Sequence, residues 1–325
     1  MNFVNFLYIM DNEKGLSTKA YLLKKLREAE RPMSGSELGK GAGVSRVAVW
    51  KGIHSLMAAG YPIRGDDQGY RFTEEEDRDF LYPWEFGVNE GSFHHWECTD
   101  STMNRAKEQA EKGAESGTVI TAEKQSSGRG RQGRNWTSAA GGLFFTLLER
   151  PQCAVPDYAR YSMAMQLCAA KVIGAITGHK AWLKWPNDIY VDAKKIAGVL
   201  TELYAEGDCI TWLTLGLGIN INNPAVSPNM VNCASLAGRE LSRRLTLTAI
   251  LEEWISLKQQ NVLEGAVACL WNQAAWGVGM EARYSPQHVG VFLGIDEQGR
   301  GLVKTDSGIE RLSPGSVSLR FGQGE

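Results

Sequence analysis

A loop in which three arginines alternate with three glycines, set between two apolar segments, constrains this chain more than any other feature. It runs Gln125-Ser-Ser-Gly-Arg-Gly-Arg-Gln-Gly-Arg-Asn-Trp136, with Thr118–Ala122 before it and Gly142–Leu148 after it. Both flanks read as strands, which makes the segment a loop mounted on a sheet, the usual place for a ligand loop. Glycine lets backbone approach a ligand closely. Arg129, Arg131 and Arg134 present permanently charged forks suited to phosphate and carboxylate. An RNA-binding Arg/Gly tract and a flexible basic linker are the competing readings, and the apolar flanks argue against both.

Further along, Ala181–Val191 reads as two strands broken at Pro186, with Asn187-Asp188 at the turn. Lys195 follows just ahead of a strand, and Gly198 lies where a ligand could press on the backbone. A strand over Ile210–Gly216 ends in Gly216-Leu-Gly-Ile-Asn-Ile221, which is not G-x-G-x-x-G and is followed by no helical pattern, so a dinucleotide fingerprint is rejected. No Walker A loop occurs. The loops supply cations, a carboxylate and glycines but no Ser/His/Asp or Cys/His set. That combination suits stabilising charge on a phosphate-bearing intermediate, and it points to nucleotide-dependent activation of a carboxylate.

The chain's 325 residues leave room for two or three domains. Its net charge of −2 argues against a protein that coats nucleic acid over its whole surface. The charge is uneven, however: through Phe72 there are 11 Lys/Arg against 7 Asp/Glu, and 24 against 30 thereafter. A basic start on an acidic body hints at a nucleic-acid module. The acidic stretch Thr73–Asp79 marks the first expected boundary. No apolar run approaches the ~20 residues of a membrane span. Met1–Met10 reads as an extra N-terminal segment, since it lacks a basic flank and a cleavage site. The six cysteines show no C-x-x-C pair and are expected to be free buried thiols in a reducing cytoplasm. No His/Cys cluster has metal-ligand spacing.

The N-terminal module reads as three short helices and a hairpin. Ser17 can cap the first helix, Ser34-Gly-Ser-Glu37 is a capping box opening the second, and Gly41-Ala42-Gly43 is a turn. Ser45 caps a third helix with Val49, Ile53 and Leu56 on one face. The other face carries Arg46, Val47, Trp50, Lys51 and His54. Tyr61–Arg64 and Gly69–Phe72 pair around Asp66-Asp67. This is the pattern of a winged helix-turn-helix, in which Ser45, Arg46, Trp50, Lys51 and His54 are the DNA-binding candidates. Gly52 in mid-helix and acid at the wing tip count against DNA, and a protein-contact module is the other reading.

Four segments in order resemble the successive signatures of biotin protein ligases: Gly128-Arg-Gly-Arg-Gln-Gly-Arg-Asn-Trp136, Lys184-Trp-Pro-Asn-Asp188, Lys195-Ile-Ala-Gly198 and Gly216-Leu-Gly-Ile-Asn220. The helical module before them and a small β-rich end after them extend the resemblance over nearly the whole chain, to the bifunctional ligase and biotin-operon repressor form. The resemblance implies an α+β fold. A winged helix-turn-helix covers 16–80, and a central α/β ligase domain with a mixed sheet covers 86–276. An SH3-like β-barrel covers 280–322, with strands over Val289–Ile295, Leu302–Thr305 and Ile309–Leu312.

The family's reaction has two halves. Biotin and ATP, with Mg²⁺, give biotinyl-5′-adenylate, and a lysine of a biotin carboxyl carrier protein then takes the biotin. Carried over by motif, Ser101, Thr102 and Gln125 would hydrogen-bond the biotin ureido group. Gly128, Arg129, Gly130 and Arg131 would begin the loop that closes over biotin and the adenylate phosphate. Arg134 would help hold that loop, and Trp136 would stack on adenine, with an ordinary core tryptophan as the plainer reading. Lys184 and Asn187 would lie near the nucleotide. Lys195 would contact biotin's carboxylate and the bridging oxygen, beside Gly198. Asp188 would accept the proton of the incoming lysine or assist Mg²⁺. Asn220 would contact the adenylate. Arg129, Arg131, Lys184, Asp188 and Lys195 form the catalytic set.

Met103 departs from the family's repressor form, which often has Asn after Ser-Thr. Arg283 and Arg320, at the β-rich end, are expected to be structural. The implied partners are the carrier protein, operator DNA and, once adenylate is bound, a second copy of the chain. A membrane is not among them, and the location is cytoplasmic. Three functions stay open: a ligase that also represses, a ligase whose N-terminal module contacts protein or tunes biotin affinity, and a lipoate or octanoyl transferase on the same fold.

Overall fold

Serine caps define the helices of the N-terminal unit. In the computed structural model, which describes residues 15–73, 79–225, 227–285, 288–315 and 317–321, the Ser17 hydroxyl accepts from Ala20 N at 3.2 Å and opens α1 (Thr18–Glu28). Ser34 and Glu37 form a reciprocal capping box at 3.1 and 2.9 Å, opening α2 (Gly35–Ala42). Ser45 accepts from Ala48 N at 3.2 Å and opens α3 (Arg46–Ala58). Of the expected Gly41–Gly43 turn, Gly41 and Ala42 complete α2. Gly43 alone reverses the chain, at φ 66°.

Leu22, Leu23, Leu26, Leu38, Val49, Ile53 and Leu56 form the core of this unit. Gly52, unfavourable for a helix on propensity, has a packing reason: a Cβ there would lie 2.7 Å from Leu22 Cδ1, so its absence lets α3 approach α1. The hairpin consists of β1 (Ile63–Asp66) and β2 (Gly69–Phe72). Asp66 makes the turn itself, its Oδ1 accepting from Gln68 N at 2.9 Å and Gly69 N at 3.2 Å.

Tyr61 was expected to begin the first strand but instead serves as an anchor. Its hydroxyl donates to Glu85 Oε1 at 2.5 Å and accepts from Trp84 Nε1 at 2.9 Å. Arg27 grips both Glu85 oxygens, at 2.9 and 2.8 Å. Burial, and beyond it the Glu85 charge, push the Tyr61 phenol far above its usual pKa. Residues 79–92 therefore fold with the helices. The acidic boundary stretch lies largely outside the described residues, as does Met1–Met10. The chain divides into two compact units between His94 and His95.

The second unit is built on a seven-stranded sheet in the order β3 (Phe93–Thr99), β4 (Thr118–Gln125), β5 (Leu143–Glu149), β9 (Cys209–Ile219), β8 (Lys194–Glu206), β7 (Asp188–Val191), β6 (Trp182–Lys184). Neighbours from β4 to β6 pair antiparallel, and parallel bridges join Leu183 to Ala275 and Lys195 to Met230. Lys195 thus lies within a strand rather than ahead of one. Helices α4 (Thr102–Glu111), α5 (Ala159–Thr177), α6 (Cys233–Ala237), α7 (Arg243–Gln259) and α8 (Val267–Gln273) complete the layer structure. Helix α5 buries Gln166, whose amide donates to Pro186 O at 3.2 Å and accepts from Trp271 Nε1 at 3.2 Å, so the turn before Asp188 is held from behind.

The C-terminal antiparallel sheet runs β13 (Gly308–Leu312), β12 (Gly301–Thr305), β11 (His288–Ile295), β10 (Glu281–Ser285), β14 (Arg320–Phe321). It joins the body of the second unit through Asn272, which makes paired bonds of 2.9 and 2.8 Å to Ile295, and through Trp185 Nε1 to Gly299 O at 3.0 Å. No pairing between β13 and β14 closes a barrel among the described residues.

All six cysteines are free, but only Cys168 and Cys233 are buried; Cys98, Cys209 and Cys269 are exposed and Cys153 is intermediate. The expectation of buried thiols is corrected accordingly. Burial pushes the Cys233 thiol up to about 12 and Cys168 higher still. Alkylation of the native protein at pH 8 should modify Cys98, Cys209 and Cys269 and leave Cys168 and Cys233 intact, as peptide mass mapping would show. Glu85→Ala should destabilise the N-terminal unit by about 2–4 kcal/mol in urea unfolding, because it removes the buried acceptor that the Tyr61 hydroxyl and Arg27 share.

Candidate active site

Strand register builds the floor of a cavity of about 1050 Å³ in the second unit. Gly198 on β8 stands opposite Gly218 on β9 and Asp188 on β7. The Trp136 indole lies on this glycine pair. A Cβ at Gly218 would sit 2.6 Å from its Nε1, and one at Gly198 would sit 3.3 Å from its Cζ3. Trp136 Nε1 is buried with no hydrogen-bond acceptor in the protein, so it is a donor that a ligand could satisfy.

At the neutral polar end, Gln125 Oε1 accepts from Thr102 N at 2.8 Å and from Thr102 Oγ1 at 3.1 Å. Gln125 Nε2 donates to Ser138 Oγ at 2.8 Å, which fixes the orientation of the amide. Thr146 on β5 donates to Thr102 Oγ1 at 2.9 Å. Ser101 caps α4 and is buried with Thr102. Met103 covers Gly216 on β9, a packing role that explains an apolar residue there.

At the charged end, Lys195 Nζ lies 2.6 Å from Asp188 Oδ1 and 5.2 Å from the Trp136 ring centre. Lys184 is buried, with Nζ 3.4 Å from the Tyr190 hydroxyl. Asn187 donates to Val199 O at 2.8 Å, which ties the turn to β8, and accepts from Arg131 Nη1 at 3.3 Å. Arg131 Nη2 reaches the carbonyls of Pro314 and Val317 in the C-terminal segment. Burial holds the Arg131 pKa below the usual arginine value, and the Asp188 charge opposes that shift. Arg129 pairs with Glu202 at 3.0 Å, and Arg134 donates to Gln132 at 3.1 Å.

Two expected contacts lie apart from the cavity wall. The Asn220 side chain is buried between Asn223 Nδ2 at 2.9 Å and Val231 O at 3.4 Å. Gly128 faces the loop itself: Trp136 N donates to its carbonyl at 2.8 Å, and Trp136 O and Ser138 Oγ leave no room for a side chain. Gly130 N likewise donates to Arg134 O at 2.7 Å. These glycines let the loop fold on itself as a tight hairpin. The remaining expected residues of this unit all line the cavity.

Arg283 and Arg320, expected to be structural, line it too, and so do Tyr190 and Leu200. Among the described residues, the cationic lining is Arg129, Arg131, Arg134, Lys184, Lys195, Arg283 and Arg320, against one carboxylate, Asp188. Such a wall selects an anionic ligand. A single carboxylate beside a triphosphate is a usual way to hold Mg²⁺, so the donor set fits that ion. Among the described residues, no group of three or more His, Cys, Asp or Glu could hold a metal alone.

In the first unit, Ser45 is occupied as a cap. Arg46, Trp50, Lys51 and His54 lie exposed on one face of α3. No helix among the described residues is long and apolar enough to cross a membrane.

Residues 96–220 match the model of the biotin/lipoate A/B protein ligase family, and residues 18–71 match that of an HTH domain. The bifunctional ligase/repressor BirA of Bacillus subtilis is 30% identical over 305 residues, which is 88% of this chain and 94% of that protein. The Escherichia coli protein of the same name is 28% identical, with 89% of this chain and 94% of that protein covered. The biotin protein ligase from Aquifex aeolicus, solved in complex with biotin and ATP, aligns with TM-score 0.60 and 27% identity over 71% of this chain and 99% of that one. The chain therefore belongs to the biotin protein ligases. Within them it has the bifunctional ligase/repressor form, with a helix-turn-helix module ahead of the catalytic domain.

Gly218→Ala should push the indole off the floor. Calorimetry on the biotin-loaded protein should show nucleotide affinity falling at least about tenfold, with the melting temperature nearly unchanged, because the added methyl projects into the cavity rather than the core.

Proposed function

We propose that the protein joins biotin to a carrier lysine in two ATP-dependent steps and, holding the adenylate, represses biotin genes. The observation that carries the ligase reading is the single cavity that combines a fixed neutral hydrogen-bonding end with a wall of seven cations and one carboxylate. The Ser101, Thr102 and Gln125 end suits the ureido head of biotin, whose burial demands matched donors and acceptors.

In the first step a biotin carboxylate oxygen attacks the α-phosphorus of ATP. The bond to the β-phosphate oxygen breaks and pyrophosphate leaves. Lys195, Lys184, Arg129 and Arg131 offset the charge that concentrates there, while Mg²⁺ supplies further charge neutralisation to the phosphates when bound. In the second step the carrier lysine's amine attacks the anhydride carbonyl and the bond to phosphate breaks, releasing AMP. Asp188 would take the amine's proton or assist Mg²⁺. Trp136 and Asn187 flank the nucleotide. The first unit, which reaches His94 rather than ending at 80, would carry DNA binding; within the second unit the segment to 276 would carry catalysis and 280–322 would support the site.

Repression rests on α3, whose exposed basic face would enter the major groove. Ordering of the 128–136 loop by adenylate would promote a homodimer that reaches two operator half-sites, coupling biotin supply to repression. The reaction belongs in the cytoplasm, where ATP and carrier protein meet.

Lys195→Ala should retain the fold and lose at least about 100-fold in transfer of labelled biotin to a carrier domain. Biotin with ATP should raise the wild-type melting temperature, and lipoate with ATP should not. Undiminished transfer by the variant would refute the assignment of Lys195, and a lipoate-only shift would favour a lipoate transferase.

A further inference from the structure

Helix α3 presents an unusual face for a DNA-reading element. Val47 is 63% exposed and Trp50 50% exposed, and Trp50 is braced by His54, the ring centres lying 4.0 Å apart. The amide and carboxylate side chains that read adenine and cytosine are missing, and Ser45 and His54 are engaged. No Asn, Gln, Asp or Glu occurs in Arg46–Ala58. The Ser45 hydroxyl is occupied as the helix cap, and His54 Nδ1 lies 2.9 Å from Trp50 O. The Arg46 side chain runs back along Gly35, its Cγ 3.4 Å from where a Cβ would stand there. Bidentate recognition of adenine by Asn or Gln, and of cytosine by a carboxylate, is therefore closed to this helix. What remains on the face is the apolar pair Val47 and Trp50 beside the cations Arg46 and Lys51, which can serve guanine or phosphate.

The same unit is prepared for a polyanion. Arg64 and Arg71 stand directly opposite each other across the β1–β2 hairpin, both exposed. Like charges in that position destabilise a hairpin; Asp66 Oδ2, 3.9 Å from Arg71 Nη2, relieves this on the Arg71 side. Asp66, the acid of the wing tip, has its Oδ1 committed to the turn. A phosphate backbone suits the exposed Arg64 and, in competition with Asp66, Arg71; an apolar protein partner suits neither.

We infer that α3 reads duplex DNA chiefly through thymine 5-methyl groups, with Val47 and Trp50 as the specificity-determining residues and Arg64 with Arg71 holding the backbone. Apolar contact with the thymine methyl is the major-groove signal open to such side chains. This rests on the repressor reading, and the test separates the two.

Full-length protein with biotin and ATP would be used to select from a random duplex library, and the enriched duplex then remade with uracil replacing thymine. The expected result is an enriched site with fixed thymines and a loss of about fourfold in affinity for each contacted methyl removed. The double variant Val47→Ala with Trp50→Ala, at two exposed positions that leave the core intact, should bind the thymine and uracil duplexes nearly alike. Equal wild-type affinity for both duplexes overturns the methyl readout and leaves repression standing. Failure to enrich any sequence overturns both.

Discussion

The register of β8 against β9 places Gly198 beside Gly218, and the geometry of the site depends on that pairing. Two adjacent positions without Cβ atoms open a flat patch of backbone in the middle of a sheet. Trp136 lies on it, Asp188 borders it and Lys195 leans across it. A one-residue slip would turn these glycines to the opposite face and put side chains where the indole now rests. The long apolar pairing of β5, β9 and β8, with Leu143, Phe145, Leu213, Leu215, Val199 and Ile219 buried, resists such a slip.

The loop above this floor is a folded object in its own right. Its glycines serve close contacts within the hairpin, and its cations already hold partners: Arg129 holds Glu202, and Arg131 holds Asn187 and two carbonyls of the C-terminal segment. A phosphate entering the cavity would have to take these cations from their present partners, so its binding would rearrange the loop. The C-terminal sheet contributes directly through Arg283 and Arg320, so the cavity is a product of two sheets.

Much of this was legible in the sequence where local chemistry dictates local structure. Ser17, Ser34 and Ser45 announce their helices, and the Asp–Gly turns announce the C-terminal hairpins, because caps and turns act over three or four residues. The loop, the Lys184–Asp188 turn and Lys195 were readable because they are dense in charge and glycine. What was not legible depends on distant partners. Nothing near Tyr61 signals that it bonds Glu85, 24 residues on. Asn220 and Gly128 look like ligand contacts in one dimension, but buried neighbours occupy them in three. Arg283 and Arg320 carry no local motif, and only the folding of one sheet beside another brings them to the cavity. Helix α5 is buried almost all round, which erases the amphipathic pattern a surface helix would show.

The central claim is that this cation-walled cavity activates the carboxylate of biotin with ATP. Pyrophosphate exchange into ATP tests it most directly, since it reports the first step without any carrier protein. Exchange that requires biotin and is absent with lipoate is the predicted result. Exchange without biotin, or with lipoate alone, would contradict the account.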